Sequence, residues 1–262
     1  MSSYKIFETH AHYDDEAFDE DRDVLLGSMD ENGIQEVVNV CASIDSLEKT
    51  KALMEKYSFV YGAFGIHPDD AELVTEEVLD KVRECCGLEK AVAVGEIGLD
   101  YYWHKEAGEH ELQKKVFRQQ MEIARELHMP FMVHSREAAA DTLDLVKDCV
   151  NEGMYGGIIH CFSYGKEMAK EYLNMGLYLG IGGVVTFNNA RKVKEVVEYA
   201  PLEQIVLETD SPYLSPVPYR GKRNCSLNLP LVAEEIGRIK GISSEEVVRV
   251  TGDNARRLLL RK

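Results

Sequence analysis

Two imidazoles two residues apart follow the first apolar run of the chain, where Tyr4-Lys5-Ile6-Phe7 leads into Glu8-Thr9-His10-Ala11-His12. Side chains alternate faces along a strand, so His10 and His12 are expected to project from one side, together with Glu8. Burying two such rings at a strand end is costly unless something binds them. Neutral imidazole is a favoured ligand of zinc and similar divalent ions. A bare His-x-His also occurs by chance in hydrogen-bonded or solvent-facing histidines. Weight comes from further ligand-type residues along the chain: His67, Glu96, His134, His160 and Asp210.

The elements that would carry these residues alternate regularly. Strand-like runs are expected at 4–12, 36–41, 59–66, 91–97, 131–134, 157–162, 177–182 and 205–210. Helical patterns are expected over 19–32, 46–57, 71–86, 109–127, 136–151, 166–175, 190–199, 229–240 and 244–261. Eight strands alternating with helices indicate a parallel sheet whose strands are all buried. Eight such units in about 250 residues is the size of a closed (β/α)₈ TIM barrel. We therefore expect one α/β domain, 1–262, with an extra C-terminal helix. An open doubly wound sheet would carry a Gly-rich phosphate turn after its first strand. That place holds His10-Ala11-His12 instead.

Barrel enzymes keep their chemistry at the C-terminal ends of the strands. His10 and His12 end the first run, His67 the third, Glu96 the fourth, His134 the fifth, His160 the sixth and Asp210 the eighth. Five of the eight histidines fall there, which scattered core or surface histidines have no reason to do. Four of these imidazoles and two carboxylates at one mouth suffice for two divalent ions if a carboxylate bridges them. Paired ions in hydrolytic sites lie about 3.5–4 Å apart, polarise a substrate oxygen and activate a water. The expected partition puts His10, His12, Asp210 and Glu96 on one ion, and His134, His160 and Glu96 on the other. Asp210 could also accept the proton of the attacking water. Such a mixed set suits Zn²⁺, Mn²⁺, Fe²⁺ or Co²⁺ better than an all-oxygen Mg²⁺ or Ca²⁺ cage.

Composition limits the surroundings. With 45% hydrophobic and 29% charged residues the chain is ordinary globular protein. No apolar run approaches the roughly 20 residues that cross a bilayer, and no basic-then-apolar leader opens the chain. The six cysteines are scattered without a C-x-x-C pair, so we expect reduced thiols and a cytoplasmic protein. A formal charge of −16 argues against gripping duplexes through a basic stripe. Bound cations and a few arginines would have to attract a polyanion. The acidic run from Asp14 to Asp21 reads as a solvated loop.

The ordered motifs ETHAH, GIHPDD, GEIGLDYYW, HSRE, HCFS, ETDSPYL, RGKRN and TGDNARRLL resemble the TatD family of metal-dependent deoxyribonucleases, a branch of the amidohydrolase-type barrels. The resemblance runs from Glu8 to Leu259. It implies a barrel with metal ligands at His10, His12, Glu96, His134, His160 and Asp210. It also implies hydrolysis of DNA phosphodiesters, often from a 3′ end, supported by Mg²⁺ or another divalent ion. Two positions depart from the family pattern: Glu8 stands where Asp is usual, and Ser226 where Pro is usual after the Arg-Asn pair. The first should move a hydrogen bond behind the ligands; the second alters a loop expected beside the substrate groove. An esterase, lactonase or aminoacyl-tRNA deacylase would use the same constellation and suit the acidic surface better. A metal-binding module without catalysis is a third class.

Other residues are expected around this centre. His67 reads as a substrate-side group outside both metal shells. Arg136 is expected to open a helix whose N-terminus could meet phosphate. Arg220, Lys222 and Arg223 form the basic cluster nearest a clamp for phosphates. Tyr102 and Trp103 could stack unpaired bases, worth about 1–3 kcal/mol each, with Tyr101 or another of the three packing in the loop. Cys161, directly after His160, is expected to point away from the site. His110 and His128 read as surface residues, and Met121, Met129 and Met132 as core filler.

Overall fold

The structure is a computed structural model that describes residues 5–260, so Tyr4 and Arg261, at the edges of expected elements, lie outside the described residues. The strands are β1 Ile6–Ala11, β2 Ile34–Val40, β3 Val60–Phe64, β4 Ala91–Asp100, β5 Phe131–Arg136, β6 Gly157–Ile159, β7 Tyr178–Ile181 and β8 Ile205–Leu207. They form one parallel sheet in the order β1 to β8. The seam between β1 and β8 closes through a parallel bridge at Ala11 and Ser211. His12 N–H donates to Ser211 O at 2.8 Å, and Asp210 N–H to His10 O at 2.9 Å. The fold is a (β/α)₈ TIM barrel.

Helices α1 Arg22–Gly27, α2 Ile44–Lys56, α3 Glu76–Cys86, α4 Ala107–Glu126, α5 Ala139–Asn151, α6 Lys166–Asn174 and α7 Arg191–Tyr199 connect successive strands. After β8 come α8 Leu229–Lys240 and α9 Ser244–Leu259. Local chemistry starts several of them: Ser43 and Ser46 form a reciprocal capping box on α2, and the Thr75 and Ser243 hydroxyls accept N–H groups at α3 and α9.

Two expected helices are shorter than their apolar patterns. The 19–32 pattern yields α1 and a separate 3-10 turn at Asp30–Asn32, because the chain ends α1 at Gly27-Ser28. The 71–86 pattern is split by Thr75, which caps a new helix after a 3-10 turn over Pro68–Leu73. Arg136 does not open α5. Strand β5 runs through it, paired with Asp100, and the helix begins at Ala139. This long β4–β5 pairing needs a glycine: a Cβ on Gly98, at φ +150°, would lie 1.9 Å from His134 O.

Phe7, Val38, Val40, Ala63, Ala93, Met132, Ile158 and Val206 belong to one buried cluster. Residues from seven strands can meet only inside the barrel. Ala255, Leu258 and Leu259 of α9 join that cluster and stopper the N-terminal mouth. Asn254 fastens α9 there by donating to Leu202 O and Ile205 O, both at 2.8 Å. A larger cluster, including Met121 with partly buried Met129 against it, fills the space between sheet and helices.

Candidate metal centre

With the N-terminal mouth sealed, the polar side chains lie at the other end. Five of the six expected ligands, His12, Glu96, His134, His160 and Asp210, line a cavity of about 900 Å³, with His67 and Arg136 on its wall. His10 is buried beside them, in contact with Glu96 and stacked on His160. His10 and His12 come from β1 and the residue after it, Glu96 from β4, and His134 from β5. Strands β6 and β8 are shorter than expected, so His160 and Asp210 stand just past their ends. Asp210 adopts φ +59°, a conformation uncommon outside glycine, and its N–H bond to His10 holds it there.

The donor atoms converge. His10 Nε2 lies 3.3 Å and His12 Nε2 3.6 Å from Glu96 Oε2, and His12 Nε2 3.4 Å from Asp210 Oδ1. On the other side of the carboxylate, His134 Nδ1 is 2.8 Å and His160 Nε2 3.4 Å from Glu96 Oε1. Atoms bound to one tetrahedral ion at ordinary bond lengths stand roughly 3.4 Å apart. The groups close enough to hold one include His10, His12 and Glu96, and His10, His160 and Asp210, whereas the ring centres of His134 and His160 stand 6.3 Å apart. Glu96 addresses both halves, one oxygen to each. His160 also approaches Asp210 Oδ1 at 3.8 Å and stacks on His10 with ring centres 3.6 Å apart, so it faces both ions of the expected partition.

Each of three ligand rings is oriented from behind. His12 Nδ1 contacts Val40 O at 2.8 Å, His134 Nε2 faces Asp100 Oδ2 at 3.2 Å, and His160 Nδ1 faces Glu208 Oε1 at 3.2 Å. Such outer partners fix ring rotation and raise ligand basicity. Gly180 makes room for Glu208, since a Cβ there would meet Glu208 Oε2 at 2.1 Å. Asp100 and Glu208 were not singled out by sequence; a carboxylate two residues before Asp210 and another four after Glu96 were the available signals.

Burial disfavours charge on all these groups, and for all but His10 their mutual contacts outweigh it. Held by Asp210 and Glu96, His12 is pushed up to about 10. Asp100 and Glu96 raise His134 to about 9, and Glu208 and Glu96 do the same for His160. His10 is lowered, first by burial and then by His160. Against the cost of burial, His160 and His10 keep Glu96 well below the usual carboxylate range, and the His12 hydrogen bond lowers Asp210. Without an ion, protons therefore serve as the counter-charge to the two carboxylates, and a divalent cation would take their place.

By distance His67, Glu96 and His134 also form a group able to hold an ion. However, His67 Nδ1 accepts Asp69 N–H at 3.2 Å, which leaves the ring proton on Nε2, 4.0 Å from Glu96. His67 thus presents a donor to the cavity. Trp103 lines the wall, and Arg136 stacks over Tyr102 at 4.0 Å and near Trp103 at 5.7 Å. Tyr101 packs instead, stacked on His110 and donating to Asp141 at 2.7 Å. This makes His110 a half-buried loop anchor rather than a surface residue, while His128 is exposed.

Several expectations are corrected. Glu8 does not share the face of His10 and His12: pairing with β2 shifts register between Glu8 and Ala11, so its side chain turns to β8 and Ser226. Cys161 does line the cavity, because β6 has ended and φ +45° breaks the alternation. Arg223 is committed to Asp21 through bonds of 2.7 and 2.6 Å and to Ala17 O, so part of the acidic run is paired rather than solvated. Arg220 lies over Phe187 at 4.0 Å and Lys222 near Tyr219 at 5.9 Å, and neither lines the cavity.

Comparison with known proteins agrees with this chemistry. The chain is 40% identical over 253 residues to YabD, an uncharacterized metal-dependent hydrolase of Bacillus subtilis (strain 168), covering 97% of this chain and 98% of that one. It is 29% identical over 249 residues to the 3′-5′ ssDNA/RNA exonuclease TatD of Cronobacter sakazakii, covering 93% and 94%. The crystal structure of YJJV, a TatD homolog from Escherichia coli K12, superimposes with a TM-score of 0.91 at 25% identity, covering 98% and 99%. A TIM barrel with this donor set and these relatives defines a metal-dependent hydrolase. Residues 7–260 match the TatD related DNase family, and the chain belongs to it.

Proposed function

We propose that the whole chain is one hydrolase domain that cleaves phosphodiester bonds in DNA, working from the 3′ end of an unpaired strand. The observation that carries the reading is Glu96, which points one oxygen at His10 and His12 and the other at His134 and His160, as a bridge between two ions would. Two divalent ions there, Zn²⁺ or Mn²⁺ in preference to Mg²⁺, would neutralise the phosphate and acidify a water. Asp210, held in place by its N–H bond to His10 O, receives the proton of the attacking water. His67 Nε2–H donates to a phosphate oxygen. Arg136 and Trp103 hold the strand at the wall, with Tyr102 supporting the guanidinium.

The cavity suits a strand end better than a duplex. Its walls carry acids, Asp14, Asp15, Glu16 and Asp69, which would repel flanking phosphates of a continuous double helix. Six free cysteines fit a reducing, cytoplasmic setting. No described helix is long and apolar enough to cross a membrane. The test is incubation of wild type and Asp210→Asn with single-stranded oligonucleotides labelled at either end, with Mg²⁺, Mn²⁺ or Zn²⁺. Stepwise shortening from the 3′ end by wild type alone is expected. Intact oligonucleotide with every metal, alongside turnover of a carboxylic ester, lactone or charged tRNA, would replace the nuclease by the deacylating alternative.

A further inference from the structure

Glu8 is fully buried, does not line the cavity, and makes three hydrogen bonds, one within β1 and two across the seam of the barrel. Oε1 accepts the N–H groups of His10 at 3.1 Å and of Thr209 at 2.9 Å, and Oε2 accepts the Ser226 hydroxyl at 2.9 Å. Ser226 is itself held by Tyr13, with the two hydroxyl oxygens 2.7 Å apart and Ser226 N–H donating to Tyr13 Oη at 2.9 Å. One carboxyl group therefore ties together the residues that carry His10, His12 and Asp210. Beside it stand two backbone bonds across the seam, Asp210 N–H to His10 O and His12 N–H to Ser211 O, and the Thr9 hydroxyl donating to Leu207 O. Strand β8 is three residues long, and its pairing with β1 beyond Leu207 rests on one isolated bridge. Glu96 and His134 sit on β4 and β5, which, past a register shift between Val94 and Ile97, pair continuously from Ile97 with Val133 to Asp100 with Arg136.

We infer that Glu8 is a positioning residue that sets the spacing between His10, His12 and Asp210, and so the affinity for the ion they would share. The inference rests on the reading that the cluster binds divalent ions. Its effect is local: loosening the clasp weakens one half of the centre and leaves the half on β4 and β5 in place. Removing the carboxyl strands two amides and a hydroxyl without an acceptor. A glutamine keeps the clasp. Its oxygen accepts both amides and its NH₂ donates to Ser226 Oγ, leaving one hydroxyl proton of the Ser226–Tyr13 pair without an acceptor in place of the two amides and a hydroxyl that alanine strands.

The experiment is calorimetric titration of chelator-stripped full-length protein with Mn²⁺, with thermal unfolding of the same samples. Wild type, Glu8→Ala, Glu8→Gln and Asn254→Ala are compared. Asn254 is a control for general loosening, equally buried but fastening β8 at the far end of the barrel. Glu8→Ala is expected to lose one ion or at least tenfold in affinity for it, Glu8→Gln to stay within about threefold of wild type, and Asn254→Ala to unfold at lower temperature with unchanged affinity. Wild-type Mn²⁺ binding by Glu8→Ala, or equal weakening in Asn254→Ala, overturns the inference alone. A wild type that binds no divalent ion overturns the metal reading and the inference with it. If Glu8→Ala does not fold, Glu8→Asp, shorter by one methylene, is judged by the same criteria.

Discussion

At one end of the barrel the strands meet Phe7, Val206 and the apolar face of α9; at the other the same strands carry four histidines and two carboxylates within contact distance. The first end is stable for ordinary reasons, since burying Leu258 and Leu259 removes apolar surface from water. The second end concentrates groups that burial disfavours and keeps them charged through one another. The difference teaches where selection for folding stops and selection for chemistry begins along a single strand. In β1 that boundary falls at the register shift after Glu8.

The sharpest way to break the comparison is to truncate one side chain at each end. Glu96→Ala should lower turnover by more than about a hundredfold, the range for losing only an outer partner of a ligand, while the protein still melts cooperatively. Leu258→Ala should cost roughly 2–5 kcal/mol in denaturant unfolding with kcat unchanged. Equal loss of activity in both would mean that the two ends are not separable.

A second, intermediate effect is a pH dependence that only the polar end should show. His12 at about 10, and His134 and His160 at about 9, lie above the ordinary 6.5 when no ion is present. Their stabilising contribution to the metal-free protein is complete below pH 6.5 and is lost as pH rises through 9 to 10. Metal-free protein should therefore melt at progressively lower temperature across that window, and metal-loaded protein should lack this decline. Ion uptake at neutral pH should release protons, read as a dependence of the calorimetric heat on buffer ionisation enthalpy.

The smallest effects separate two arginines. Arg136→Ala should raise KM for an oligonucleotide several-fold, about one lost stacking or phosphate contact, with little change in kcat. Arg223→Ala should leave KM alone and change stability by no more than about 1 kcal/mol, as for other part-exposed ion pairs.

Much of this was legible in the chain. Apolar runs of strand length, separated by helical patterns, located all eight strands, and ligand-type residues at their ends located the mouth. What escaped has local causes. A register shift within β1 reverses the face of Glu8, and nothing in Glu8-Thr9-His10 announces it. Cys161 was assigned by alternation, which stops where β6 stops. Arg223 looked free because its partner, Asp21, is 202 residues away in the chain. Helix starts depended on capping hydroxyls such as Thr75, which cut across a continuous apolar pattern.

The rim has one further consequence. Trp103 is the single tryptophan of the chain, and it stands 65% exposed at the cavity wall beside Arg136. Intrinsic emission excited at the indole band is therefore a gauge of what occupies the mouth rather than of the buried interior. A strand end arriving there would be visible by quenching in an unlabelled protein, before any bond is cut.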